Sequence, residues 1–212
     1  MRDIPVFTTE NGVASLILEQ IPYLQAAYIR VQSSLEPRLL VEECAQFCRA
    51  CGAERIFAAG ADLPEIWPVH TVLWQMRCPK DALEDTEAAL FPVQEHTLEA
   101  WREIYNRKVV RVPNGAWMTE KLGKQMLEKG DGYFVHRDQQ LLGIGRVSGE
   151  TIDWVASVKP GAGAEVVKAL AHAATEPVLQ LTVASTNEKA IHLYENLGFL
   201  KSRELSKWYQ IL

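Results

Sequence analysis

The chain has 212 residues, 48% hydrophobic and 23% charged, an ordinary globular balance with apolar mass for one large or two small domains. Its formal net charge is -5 and its basic residues are scattered, the densest group being Arg107, Lys108 and Arg111. That speaks against a nucleic-acid partner, since neutralising phosphates takes a basic stripe. Arg2 and Asp3 open a short mixed segment rather than a secretory leader, and no apolar run approaches the ~20 residues of a membrane span, so a cytoplasmic protein with no membrane partner is expected.

In chain order, residues 4–8 and 13–20 read as strands joined through Glu10-Asn11-Gly12, because Asn-Gly between apolar runs marks a hairpin. Residues 26–32 read as a third strand. The period then changes: Leu40, Cys44, Phe47, Cys48 and Cys51 share a helical face that Gly52 ends. Residues 55–59 and 70–76 read as further strands.

Residues 81–94 are acidic, contain Pro92 and read as a linker between domains 1–80 and 95–212. Thr97 is placed to cap a helix carrying Leu98, Trp101, Ile104 and Tyr105 on one face. Val112-Pro113-Asn114-Gly115 breaks it, and a second helix spans 119–128 before Gly130. A hairpin follows, 133–136 and 141–147 around Arg137-Asp138-Gln139, then a strand at 151–158. Gly161-Ala162-Gly163 opens a helix over 164–174. Residues 178–183 are a strand, 187–197 a helix, and 199–202 and 207–212 closing strands. The order predicts an α/β (α+β) fold with a mixed, mostly antiparallel sheet flanked by helices. The first half repeats part of the second, which points to a partial duplication.

The most informative pattern is Asn187-x-x-Ala190-x-x-Leu193-Tyr194-Glu195-x-x-Gly198-Phe199, just after a strand. Ala190, Leu193, Tyr194 and Leu197 lie at helical spacing, Asn187 can cap the start, and Gly198 suits the stop. With the strand–turn–helix at Ser157-Val158-Lys159-Pro160-Gly161-Ala162-Gly163-Ala164, this half of the chain resembles the GNAT superfamily of N-acyltransferases, and residues 1–80 resemble a degenerate GNAT-like half.

The resemblance implies acetyl-CoA as cosubstrate and a primary amine, on a small molecule or a peptide, as acceptor. It implies that Ser157, Val158, Lys159, Gly161, Ala162, Gly163, Ala164, Asn187, Ala190 and Tyr194 meet the cofactor, with the turn amides and helix N-terminus cradling its pyrophosphate. Tyr194 would protonate the departing thiolate, as a phenol still protonated at neutral pH can. Asp153 and Glu150, near the strand before the turn, are the candidates for general base. Trp101, Tyr105, Trp117 and Met118 are candidates for the acceptor wall, Trp101 reading more as core.

The turn departs from the family: Val158 stands where Arg or Gln is expected, and the stretch between Pro160 and the glycines is missing. That supports the alternative of a non-catalytic GNAT-like module with impaired cofactor binding. Cys44-x-x-x-Cys48-x-x-Cys51 matches an iron–sulfur spacing, but positions i, i+4 and i+7 on a helix read as core. His70, His96, His136, His172 and His192 show no ligand spacing, so no metal is expected. The acceptor's identity and the oligomeric state are left open by the sequence.

Overall fold

Alternating apolar positions build the first sheet. The computed structural model describes residues 5–60, 63, 66–110, 112 and 115–212. Two compact units form, one from the chain up to Leu73 with Glu204–Leu212, the other from Trp74–Arg203.

In the first unit, β1 (Val6–Thr9), β2 (Gly12–Ile17) and β3 (Ala26–Ser34) form an antiparallel meander, with a four-residue helix α1 (Ile21–Leu24) between β2 and β3. Helix α2 (Pro37–Ala50) crosses to β4 (Arg55–Ala59), which lies parallel to β3. Ala14, Leu16, Ala27, Ile29, Ile56 and Ala58 alternate onto one face and bury Leu40, Val41, Cys44 and Cys48 of α2. Burial pushes the Cys44 thiol up to about 12 and the Cys48 thiol up to about 11. Both stay protonated at neutral pH and pack as small hydrophobes. Among the described residues no group of three or more His, Cys, Asp or Glu could hold a metal.

Strand β5 (Val69–Pro79) leads into the second unit, where β6 (Ala89–Pro92), helices α3 (Leu98–Val109) and α4 (Glu120–Lys129), and strands β7 (Gly132–Arg137), β8 (Gln140–Ser148) and β9 (Thr151–Ser157) follow. Helix α5 (Gly163–Ala173), β10 (Val178–Ala184), α6 (Glu188–Asn196) and β11 (Leu200–Gln210) complete the chain. The sheet order in this unit is β11–β5–β10–β9–β8–β7–β6. Helices α5 and α6 cover one face, packing Val166, Leu170, Ile191 and Tyr194 on Leu142, Leu179 and Phe199. Helices α3 and α4 cover the other through Trp101, Tyr105, Met126, Ile144 and Ala156. Each unit is thus mixed α/β, with mostly antiparallel pairing and helices on the sheet.

Several boundaries differ from the sequence reading. The second strand stops at Ile17 because the chain turns at Glu19 and Gln20 into α1, the Leu18 carbonyl accepting from the Ile21 N–H at 3.0 Å. The expected linker contains β6, paired antiparallel with β7, and the units divide at Leu73/Trp74 and Arg203/Glu204 instead. The two expected closing strands are one, β11. Thr97 does not cap α3; it closes a turn by accepting from the Gln94 N–H at 2.9 Å. Ile4 of the first expected strand, the Pro113-Asn114 break, Arg111 and the Arg2-Asp3 opening lie outside the described residues. Among the described residues no helix is long and apolar enough to cross a membrane.

Two β8 glycines let α5 approach the sheet. A Cβ at Gly143 would lie 2.5 Å from the Ala156 carbonyl oxygen and 2.7 Å from Val166. The oxygen is strand backbone and cannot yield without disturbing the β8/β9 ladder. Gly143→Ala is therefore expected to destabilise the protein by about 1–3 kcal/mol. Urea unfolding checks this, and an unchanged midpoint would refute the close-approach argument.

Candidate functional site

The site begins where two parallel strands separate. β9 and β10 pair at Thr151↔Gln180 and Ile152↔Leu181 and no further. By contrast, the parallel strands of the first unit, β3 and β4, stay paired over five positions from Ala26↔Arg55 to Arg30↔Ala59. Beyond Ile152 the register of β9 on β8 also slips. Arg146 faces Trp154 and Val147 faces Ile152, leaving Asp153 as a bulge. A bulge bends its strand, and here it stands where β9 leaves β10. From there to Ser157, the β9 backbone groups on the β10 side lack a ladder partner.

The turn after β9 sits at the open end. The N–H groups of Val158 and Lys159 both donate to the Leu142 carbonyl, at 2.7 and 3.2 Å, and the Lys159 ammonium donates to Gln140 Oε1 at 2.8 Å. Gly161 takes a left-handed φ of +81°, which turns the chain into α5. Ala162 occupies the cap position and offers no side-chain acceptor, so the first-turn amides of α5 are open donors. In the same turn, Glu165 is held by Arg137 Nη1 at 2.6 Å.

Helix α6 abuts this turn. A Cβ on Gly163 would lie 2.9 Å from Leu193 Cδ2, so glycine lets the two helices meet. Asn187 caps α6, its Oδ1 accepting from the Ala190 N–H at 3.4 Å. Tyr194, next to Leu193, is 9% exposed, and burial pushes its phenol up to about 12. Its ring centroid lies 5.9 Å from that of Phe199. The residues from Ser157 to Ala164 and those from Asn187 to Tyr194 are thus gathered at one end of the β9/β10 pair.

Glu150 and Asp153 lie elsewhere. Glu150 is at the closed end, bound by the Gln180 side chain, whose own Oε1 accepts from Gln75 at 2.8 Å. Asp153, at the bulge, is exposed, accepts from the Ser148 hydroxyl at 2.8 Å and stands 3.6 Å from Arg146 Nε. Trp101 is fully buried with its indole N–H on the Tyr133 carbonyl at 3.1 Å, and Tyr105 stacks on it. Met118 is pinned by buried Asn106, whose amide donates to the Met118 carbonyl at 3.1 Å and accepts from its N–H at 2.8 Å. Trp117 is half-buried beside it.

Sequence reasoning missed Asp131 and Arg146. The two form an ion pair at 2.7 Å, with Asp131 7% exposed and the Ser148 hydroxyl oxygen 3.1 Å away, its one proton given to the nearer Asp153. Nothing in their spacing of fifteen residues announces a pair; only the β7/β8 register, Gly132↔Arg146, brings them together.

No protein-family profile matches the chain, and no curated protein matches it. Solved structures do. A conserved protein of unknown function from Staphylococcus epidermidis superposes with a TM-score of 0.63 at 13% identity, covering 99% of this chain and 94% of its own. A GCN5-related N-acetyltransferase from Sphaerobacter thermophilus gives 0.58 at 13%, over 93% and 75% of the two chains. A GNAT-family acetyltransferase from Colwellia psychrerythraea gives 0.55 at 17%, over 97% and 84%. The fold is that of the GNAT-type acetyltransferases.

The Asp131–Arg146 pair underlies the bulged strand. Removing only the cation leaves a buried carboxylate unpaired, so Arg146→Met should cost about 3 kcal/mol. Adding Asp131→Asn should recover part of the loss. Denaturant melts of both variants test this; a harmless single substitution would show the pair to be idle.

Proposed function

We propose that the protein is a GNAT-type N-acyltransferase that takes acetyl-CoA as cosubstrate and a primary amine, on a small molecule or a peptide, as acceptor. The observation carrying this reading is the parting of β9 and β10 beside a helix N-terminus with uncapped amides. An extended amide-bearing arm can pair with the freed edge of β9, and a pyrophosphate can accept from the α5 amides. Acetyl-CoA supplies the activated thioester.

In this reading Asp153 takes the proton of the acceptor ammonium, directly or through water, because it is exposed and stands at the bulge. Glu150 is tied to Gln180 at the closed end and serves structure. The freed amine attacks the thioester carbonyl; the N–C bond forms, the C–S bond breaks, and the nitrogen releases its second proton to solvent. Tyr194 gives its phenolic proton to the leaving thiolate and regains one from solvent. The first unit is a degenerate copy with the same order of three strands, crossover helix and parallel strand. Its β3/β4 pair is zipped over five positions, so it offers no cofactor gap.

One observation favours the alternative of a non-catalytic binding module. The Val158 and Lys159 amides are already engaged within the protein and the Lys159 ammonium is drawn to Gln140, leaving chiefly the α5 amides to hold the anion. Such a terminus contributes about 0.3–1 kcal/mol to an exposed anion and about 2 at most. Calorimetry with acetyl-CoA decides. Micromolar binding at one molecule per chain is expected; no binding at millimolar cofactor would hand the lead to the module reading, and two per chain would refute the zipped-copy argument.

Where turnover is found, Tyr194→Phe should lower kcat about 10²–10⁴-fold. An ordinary tyrosine ionises near 10, whereas this phenol, raised to about 12, stays protonated through pH 10. The wild-type kcat should therefore show no alkaline fall below pH 10 from loss of this proton. A Tyr194→Phe enzyme with full activity would remove the acid role. Asp153→Asn should lower kcat/KM about 10²-fold or more while Glu150→Gln stays within about twofold. Equal effects of the two substitutions would overturn the assignment of the base.

A further inference from the structure

The second unit carries a cavity that the proposed acyl transfer does not use. It lies at the β6/β7 edge and has a volume of about 550 Å³. That is within the ~300–1,000 Å³ typical of small-molecule sites. Its floor is four residues paired across two strands, Ala89↔His136 and Phe91↔Phe134, which share one face. The Phe91 and His136 rings meet edge to face at 5.1 Å, and Phe91 is still 52% exposed. Nδ1 of His136 is buried without a partner among the described residues. This is an aromatic surface left open.

The charges around it are unbalanced. Glu87 and Asp138 stand on the lining. Arg137, which also lines it, is engaged by Glu165 at 2.6 Å and by Asp138 at 3.6 Å. No described residue forms an ion pair with Glu87. The cavity therefore presents aromatic rings under a net negative field. Ring faces attract cations, and apolar bodies gain by covering exposed rings.

We propose that this cavity binds an arylalkyl ammonium, with the aromatic body on Phe91 and Phe134 and the ammonium toward Glu87 and Asp138. The inference needs neither cofactor nor acyl transfer.

The test is titration of phenethylammonium into the full chain at neutral pH without cofactor, read by backbone amide NMR shifts. Saturable shifts confined to residues 87–94 and 134–139 are expected, with submillimolar affinity. Phenylacetate, the same ring with opposite charge, should bind at least about tenfold more weakly. Phe91→Ala should weaken binding about tenfold, and Glu87→Gln about threefold. Both residues are exposed, and an unchanged melting temperature in each variant certifies its fold. The proposal is overturned by the absence of saturable shifts at about 10 mM amine, by equal affinity for phenylacetate, or by wild-type affinity in Phe91→Ala. Binding of the amine by a protein that transfers no acyl group would leave this inference standing and count only against the enzyme reading.

Discussion

The second unit is organised around two parallel strands that stop pairing after two positions. A strand whose neighbour departs keeps backbone donors and acceptors that water or a ligand must satisfy, and an unmet buried group costs about 1–3 kcal/mol. Folding alone would favour closing such a gap, as β3 and β4 do in the first unit. Its persistence between β9 and β10 needs a cause within the sheet. The bulge at Asp153 provides one, since it rotates the strand at the position where pairing ends. At the other end, the side-chain chain Gln75–Gln180–Glu150 links β5, β10 and the turn before β9. One end is clamped by amide and carboxylate groups, and the other is left to open.

What lies at the open end follows from small residues. Gly143 and Gly145 remove the side chains that would keep α5 off β8, and Gly163 removes the one that would keep α5 off Leu193. The helix start is thereby drawn down to where β9 ends. Its field is modest, and Glu165 in the first turn would oppose an anion there were it not neutralised by Arg137. Lys159 gives one of its three N–H groups to the neutral Gln140 side chain and keeps its charge, so in the proposed cradle backbone amides and this ammonium act together.

Much of the second unit was legible in the sequence, because its elements carry local signals. Asn187 and Gly198 bracket α6, and Gly130 stops α4. Asp138 and Gln139, both at positive φ, turn the β7/β8 hairpin. What escaped the sequence were features set by register. The Asp131–Arg146 pair, the Asp153 bulge and the contrast between a two-position and a five-position parallel pair have no local signature. Strand β6 escaped for a related reason: Ala89–Pro92 is short, mostly exposed and ends in proline, which an edge strand tolerates. The candidate residues could therefore be named from local pattern, whereas the bulge that sets Asp153 apart from Glu150 could not.

The burial of Tyr194 decides which chemistry it can support. Desolvation destabilises the phenolate and raises its pKa, so the residue is a poor base and a poor nucleophile across the neutral range. In the acid role proposed for it, a raised pKa keeps the proton in place until a base reaches the phenol. Placed one residue beyond Leu193, which abuts the turn at Gly163, the phenol is held by core packing rather than by hydrogen bonds. Its position therefore depends on the fit of α6 on Phe199 and α5.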